Sequence, residues 1–377
     1  MPRGFLAMEL SYWEYKTWLS NIDFTIVGSG IVGLNTALRL RQRFPKAKIL
    51  ILEKGILPQG ASTKNAGFAC FGSISEILAD LETHSEEEVI QLVQQRYDGI
   101  ELLRKMVGDD QLGFQKLGGH ELFLKKDNLL YEKCSTLIEA INQLVRPVFG
   151  KAVFAKTSNQ YGFEQTQEQC ISHSEEGQIN TGSMMQNLLA SAQKQGIQVL
   201  NSVRVDGFIE SDRQVDIKTN HFEFKSNKLL ICTNGFASQF IGEQVKPARA
   251  QVVITKPIVN LKIKGTFHFD EGYYYFRNID NRILFGGGRN LDFKTEETTE
   301  FGQTTIVQEE LERLLREVIL PKIPFEIEQR WSGVMGVGLQ KKPIVRQLSD
   351  NVYCGVRLGG MGIAVGSLVG KELADLV

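Results

Sequence analysis

The sequence predicts an α/β protein of two interleaved domains, one with a parallel sheet of Rossmann type and one an α+β unit with a mostly antiparallel sheet. Three observations predict it. A strand–glycine–helix–strand series occupies Phe24 to Glu53. Continuous apolar runs at Leu229-Leu230-Ile231-Cys232 and at Val352 to Val356 read as further buried parallel strands far along the chain. Between them, Val252 to Ile254 and Gly272 to Phe285, rich in Tyr and Phe, read as antiparallel strands. Parallel strands at both ends and in the middle suit interleaved domains better than consecutive ones. The boundaries expected are 1–84, 171–246 and 331–377 for the parallel-sheet domain, and 85–170 and 247–330 for the other.

In the first series, Phe24-Thr25-Ile26-Val27 meets Gly28-Ser29-Gly30-Ile31-Val32-Gly33, and a helical pattern follows. Gly28 permits the tight turn out of the strand, Gly30 lets a pyrophosphate approach the backbone, and Gly33 lets the helix pack close to the sheet. The helix N-terminus offers unpaired N–H groups and a positive dipole end to phosphates. The second apolar run, Lys48 to Leu52, ends in Glu53, at the tip where an acid accepts hydrogen bonds from ribose hydroxyls. Strand, glycines, helix, strand and acid in register imply dinucleotide binding.

After Glu53 comes a loop of small residues, Gly60-Ala61-Ser62-Thr63-Lys64-Asn65-Ala66-Gly67, and then Gly72. Val89, Leu92, Val93, Tyr97, Ile100 and Leu103 fall on one face of a long helix. Leu117 to Leu124 reads as a strand, Leu129 to Val145 as a helix, and Ile179 to Gln195 as a helix closed by Gly196 before a strand at 197–200. Short strands and turns fill Val203 to Ile231, and a helix covers about Thr305 to Val318. The chain closes as strand, glycine turn (Gly359-Gly360-Met361-Gly362) and helix. That last junction could aim a second helix N-terminus at developing negative charge, as on the pyrimidine side of a reduced flavin. Taken alone, the same glycines also suit a plain capping turn.

The bulk numbers exclude several function classes. At 377 residues the chain is long enough for about two domains. A formal net charge of -1 gives no reason to expect nucleic acid or an anionic membrane as a partner. Five scattered cysteines (Cys70, Cys134, Cys170, Cys232, Cys354), none in a CxxC, and five dispersed histidines argue against a disulfide framework or a metal site. The N-terminus has no sustained apolar core, and its aromatics Tyr12, Trp13, Tyr15 and Trp18 suggest a lead-in packed on the body. No apolar run reaches membrane-spanning length, so the expectation is a cytoplasmic protein in a reducing compartment.

These segments together resemble the family of FAD-dependent amine and amino-acid oxidoreductases that includes D-amino-acid oxidase, glycine oxidase and sarcosine oxidase. The resemblance covers nearly the whole chain from Asp23. Beyond the GSGIVG turn with Glu53, GASTKNAGF (60–68) is similar to the family's GASxRNxG loop, with Lys64 in place of the usual Arg. CTNG (232–235), KPARAQVV (246–253), ILFGGGR (283–289), RWSGVMG (330–336) and LGGMGIAVGSLVGKELADL (358–376) complete the series in order. The resemblance implies a glutathione-reductase-like FAD-binding Rossmann domain interleaved with an α+β substrate domain whose sheet roofs the flavin. It implies that FAD is lined by Gly28, Gly30, Ile31, Val32, Gly33, Glu53, Lys54, Ser62, Thr63, Lys64, Asn65, Ala66, Gly67, Val203, Thr233, Gly235, Gly336, Gly359, Gly360, Met361, Gly362 and Ile363. It implies hydride removal from a carbon bearing nitrogen, in an amine or amino-acid substrate, giving an imine.

The chain departs from the family at the substrate. Relatives clamp the substrate carboxylate with an arginine shortly after the Trp-x-Gly; here Met335 stands about there. The lysines of the sarcosine-oxidase type are missing, with Ala364 at one of them, and no cysteine near Val334 matches that subgroup's flavin tether, so noncovalent FAD is expected. In the strand after Gly272, alternation puts Tyr273, Tyr275 and Arg277 on one face, which makes these three the candidate catalytic residues. Arg289 and Arg330 are weaker candidates for the clamp, Lys341 and Lys342 read as surface, and Cys70, Ser73 and His120 could border the pocket. Two other readings stay open: an FAD dehydrogenase of a hydroxy acid or polyol phosphate, and a flavoprotein that keeps the scaffold without this chemistry.

Overall fold

The structure, a computed structural model, describes residues 9–377. Its first sheet is built on Ile22–Val27, every residue of which is buried except Asp23. That strand lies parallel to Ile49–Leu52 on one side and to Glu223–Ile231 on the other. Val352–Val356 adds in parallel beyond Glu223–Ile231, and Gln198–Leu200 beyond Ile49–Leu52. Pieces from the start, middle and end of the chain thus make one sheet. The reason lies in their composition: apolar on both faces, these strands are stable only where both sides are covered, here by the helices Ile31–Arg43 and Gly362–Asp375 on one side and by Val205, Val215, Ile217 and Leu19 on the other. Ile344–Ser349 closes one edge antiparallel, and Val205–Glu210 and Val215–Thr219 form a hairpin-like extension.

The second sheet runs Ile327–Val337, Lys246–Thr255, Arg282–Gly287, Tyr274–Ile279, Thr266–Phe269, Gly119–Glu121, Gln169–His173, Phe154–Ser158. All its pairings are antiparallel except that of Thr266–Phe269 with Gly119–Glu121. Its covered face is an aromatic core: Phe267 stacks on Phe276 at 4.7 Å, with Phe163, Phe269 and Phe285 around them. The helix Thr305–Leu314 packs into the same core through Val307, Leu311 and Leu314.

Three expected boundaries move. Gln169–His173 straddles the one at 171 and pairs on both sides within the second sheet. Ile327–Val337 crosses residue 331 and pairs with Lys246–Thr255 along its whole length, so the return to the first sheet comes after Val337. The long helix, observed at Glu86–Val107, packs on the Rossmann side against the closing helix Gly362–Asp375. A Cβ on Gly99 would stand 2.0 Å from the Ala364 carbonyl oxygen, so the two helices meet backbone to backbone there. The N-terminal aromatics also differ from expectation, as far as the described residues go. Ser11 caps a short turn at Tyr12–Glu14, but Trp13 is 69% exposed and Leu19 does the packing. No helix among the described residues is long and apolar enough to cross a membrane.

Candidate active site

The glycines of the first turn act through contact. Gly28 takes φ +104°, and a Cβ there would lie 2.9 Å from the Cys232 carbonyl oxygen. A Cβ on Gly33 would lie 2.0 Å from the Gly28 oxygen, which fixes how close the helix Ile31–Arg43 sits to the sheet. Gly235 and Gly336 serve the same way: each would drive a Cβ into the other's segment, toward the Met335 oxygen and Asn234 Oδ1. Gly33, Gly235 and Gly336 are therefore close-packing residues that do not line the cavity described below.

Among the described helices of eight or more residues that start without a capping side chain, two begin at the cavity described below. The helices Ile74–Leu81, Glu86–Val107 and Thr181–Lys194 are capped by Ser73, Ser85 and Asn180, whereas Ile31–Arg43 and Gly362–Asp375 begin at Gly30 and Met361 with none. Uncapped N–H groups at a helix start are a ready anion site. The Ile31 N–H meets Ser62 Oγ at 2.9 Å, which ties the loop 60–67 to the first helix. Asn65 holds that loop in shape: its amide donates to the Ala61 and Ser62 carbonyls and accepts from the Gly67 N–H at 2.8 Å. Thr63 turns inward, donating to the Pro58 carbonyl at 2.6 Å, and does not reach the cavity. Glu53 is buried, with Oε2 accepting from Ser29 N–H (3.1 Å) and Oγ (2.7 Å) and Oε1 from the Gly55 N–H (3.0 Å).

These parts bound one cavity of about 1060 Å³. Gly28, Gly30, Ile31, Val32, Glu53, Lys54, Ser62, Lys64, Asn65, Ala66, Gly67, Val203, Thr233 and Gly359 through Ile363 line it from the Rossmann side. Gly359 and Gly360 have no atom within 4 Å of an added Cβ, so the backbone there faces open space. From the second sheet come Tyr273, Tyr275, His268, Gly287, Arg289 and Met335. Tyr275 packs edge-on against Phe68 at 5.7 Å, and its ring fills the space a Cβ on Gly286 would take, 2.7 Å away.

Arg277 is the main correction. It shares the strand face of Tyr275, but it is buried and outside the cavity lining. Its Nη1 donates to the Gly67 (3.0 Å) and Ile179 (2.7 Å) carbonyls. Burial pushes its pKa down to about 10, and it straps the cofactor-side loop to the second sheet. Arg330 is also committed elsewhere, to Gln308 at 2.6 Å and Glu312 at 2.5 Å. Lys341, read as surface, lines the cavity and meets Asp80 at 2.5 Å. Ser73 caps its helix, His120 bonds Ser172 Oγ at 2.6 Å behind the wall, and Cys70 lines the cavity, its thiol pushed well up by burial.

The sequence matches the model of the FAD dependent oxidoreductase family, DAO, over residues 23–376. The chain belongs to the DAO family. Its similarities within curated proteins are distant: 19% identity to the probable oxidoreductase OrdL of Haemophilus influenzae, covering 96% of this chain and 84% of that one. The gamma-glutamylputrescine oxidoreductase of Escherichia coli is 22% identical, covering 94% and 83%. Among solved structures, glycine oxidase from Geobacillus kaustophilus superposes with a TM-score of 0.75 at 19% identity over 94% of each chain, which shows the fold.

The DAO-family chain is thus an FAD-dependent oxidoreductase. The cavity fits that cofactor on its own evidence: two uncapped helix starts, an acid oriented at the second strand tip, and exposed glycine backbone all open on one long space. The missed residues, His268, Asp80 and Lys341, come together only through pairing and packing; no motif in the sequence marks them.

Proposed function

We propose that this DAO-family enzyme removes hydride from the C–N bond of an amine or amino acid, leaving an imine that water hydrolyses, with FAD held noncovalently. The observation that carries this reading is the single cavity joining the two uncapped helix starts and Glu53 to the tyrosine face of the second sheet. The relatives named for glycine and for gamma-glutamylputrescine support the C–N class.

In this reading the start of Ile31–Arg43, with Gly30 and Ser62, takes the pyrophosphate, and Glu53 takes the adenosine ribose. Lys54, Lys64, Asn65, Thr233 and Val203 flank the cofactor, and the start of Gly362–Asp375 faces the end where charge builds up. Bound flavin supplies the hydride acceptor. Tyr273 and Tyr275 shape the substrate side, where their rings exclude water and orient the carbon to be oxidised.

The test is anaerobic mixing of the purified flavoprotein with amines, amino acids, hydroxy acids and polyol phosphates, read by flavin bleaching. Reduction by amines or amino acids is expected. Reduction by hydroxy acids or polyol phosphates alone would overturn the proposal.

A further inference from the structure

The two ring nitrogens of His268 have different surroundings. On Thr266–Phe269, Phe267 and Phe269 point into the aromatic core, so alternation turns His268 to the other face, beside its cross-strand partner Tyr275. That face is the cavity wall. Nε2 is shut away from solvent without a hydrogen bond, 3.7 Å from Glu176 Oε2. Nδ1 makes no hydrogen bond among the described residues and is not sealed in as Nε2 is. Phe68 meets the ring edge-on at 5.0 Å.

Glu176 is placed to serve that ring. Its Oε1 accepts the Phe71 N–H at 2.9 Å, which leaves Oε2 for His268. Gly119 makes the room, because a Cβ there would collide with Oε2. A buried carboxylate beside Nε2 holds the proton on that nitrogen, and the neutral ring then presents the Nδ1 lone pair to the cavity. Burial opposes charge on the ring, Glu176 outweighs it, and the raised pKa makes His268 a stronger base than a free histidine.

The neighbouring groups do not compete. Around the ring stand Glu176, His173, Glu121, His120, Glu76 and Tyr275. Glu121 accepts from Ser75 and Glu76 from the Ser73 N–H, while His120 and His173 use Nδ1 on Ser172 and on the Glu175 N–H. Burial pushes the Tyr275 phenol up to about 12. His84, which also lines the cavity, uses its Nδ1 on Thr83.

We propose that His268 Nδ1, oriented through Nε2 by Glu176, takes a proton from the substrate ammonium before the carbon is oxidised. The N–H bond breaks, its electron pair stays on nitrogen, and Nδ1 gains the proton. Hydride can then leave the carbon for the flavin, with the nitrogen lone pair closing the C=N bond. An ammonium nitrogen has no such pair to give. After the product leaves, the imidazolium returns its proton to water in the open cavity. This rests on the C–N oxidation reading above, and within it Glu176 is a positioning residue.

The experiment follows flavin reduction by low concentrations of two primary amines whose own ammonium pKa values differ by about two units. It is run across pH in wild type, His268→Gln and Glu176→Gln, with FAD content measured for each. In wild type the rate should climb with pH along one limb shared by both amines, since that limb belongs to His268. In His268→Gln the limb should move up to each amine's own pKa, and the rate at about pH 8 should fall on the order of 100-fold. Glu176→Gln should shift the wild-type limb to lower pH, which a merely structural role would not do. FAD content should stay equal. A second readout needs no turnover: an amine with no hydrogen on the carbon beside nitrogen is titrated into the holoenzyme and read by flavin absorbance. Neutral Nδ1 accepts its N–H and the imidazolium repels it, so wild type should bind it more tightly as pH rises through the same limb. His268→Gln should lose that dependence.

Wild-type limbs that follow each amine's own pKa overturn the proposal and leave C–N oxidation standing. Unchanged profiles in His268→Gln, or wild-type binding of the blocked amine that ignores pH, overturn it as well. A loss of FAD in His268→Gln would make His268 a cofactor contact and has the same effect. The two wild-type measurements decide the proposal where a variant does not fold. Flavin reduction by no amine at all overturns the C–N reading and this proposal with it.

Discussion

The Glu176 carboxylate lies 3.7 Å from His268 Nε2, both residues are buried, and His268 is the one that reaches the cavity. Burial raises the Glu176 pKa, but the imidazoles of His268 and His173 and the Phe71 N–H at 2.9 Å outweigh it and hold the acid at about 2. Burial likewise opposes charge on His268, and Glu176 outweighs it, so that pKa is raised.

The pair therefore stabilises the fold within a pH window. Glu176 contributes above its ordinary value of 4.5, and that contribution is lost as pH falls toward 2. His268 contributes fully below 6.5, and that contribution is lost as pH rises through its raised value. Glu176→Gln should lower stability by about 3 kcal/mol near pH 6 and by much less at pH 2–3. Urea unfolding across pH checks this; a deficit that does not vary with pH would refute the charged pair.

Glu121 behaves in the opposite sense. Burial lifts its pKa to about 7, against two hydrogen bonds from Ser75 that favour the anion. The folded state binds this proton more tightly than the unfolded state, so stability falls as pH rises from 4.5 toward 7. Glu121→Gln should match wild type at pH 4 and exceed it by about 1–3 kcal/mol at pH 8. Equal stability at pH 8 would show that the carboxylate is relieved there by another route.

Arg277→Met should damage the fold and spare substrate binding. Its Nη1 holds the Gly67 and Ile179 carbonyls, both of which lose a charged donor. A loss of about 2–4 kcal/mol in chemical unfolding is expected. With FAD saturating, KM should stay within about threefold of wild type. A large KM rise at unchanged stability would restore Arg277 to the substrate site.

Gly33→Ala and Gly360→Ala separate packing from cofactor contact. A methyl on Gly33 meets the Gly28 oxygen at 2.0 Å and should destabilise the protein by about 3 kcal/mol or more. A methyl on Gly360 meets nothing within 4 Å, and Gly360 lines the cavity, so Gly360→Ala should keep its Tm without FAD and bind FAD about tenfold more weakly. Equal FAD affinity in Gly360→Ala would remove that turn from the cofactor site.

The segment Phe24 to Glu53 was legible because its physics is local. Turn, helix start and acid lie within one βαβ unit, and their spacing alone brings them to one sheet edge. The loop 60–67 and the closing glycine turn were legible as motifs, though Thr63, Gly33, Gly235 and Gly336 prove to be packing groups beside the cavity. Alternation placed Tyr275 and Arg277 on the same face of one strand. It could not say what covers that face at each end: open cavity at Tyr275, the Gly67 and Ile179 carbonyls at Arg277. The partnership of Lys341 with Asp80 and the buried Glu176–His268 pair likewise had no trace in residue spacing. Each depends on segments distant in sequence meeting through sheet register and helix packing, and Arg277 becomes a strap because that packing delivers the Gly67 and Ile179 carbonyls to it.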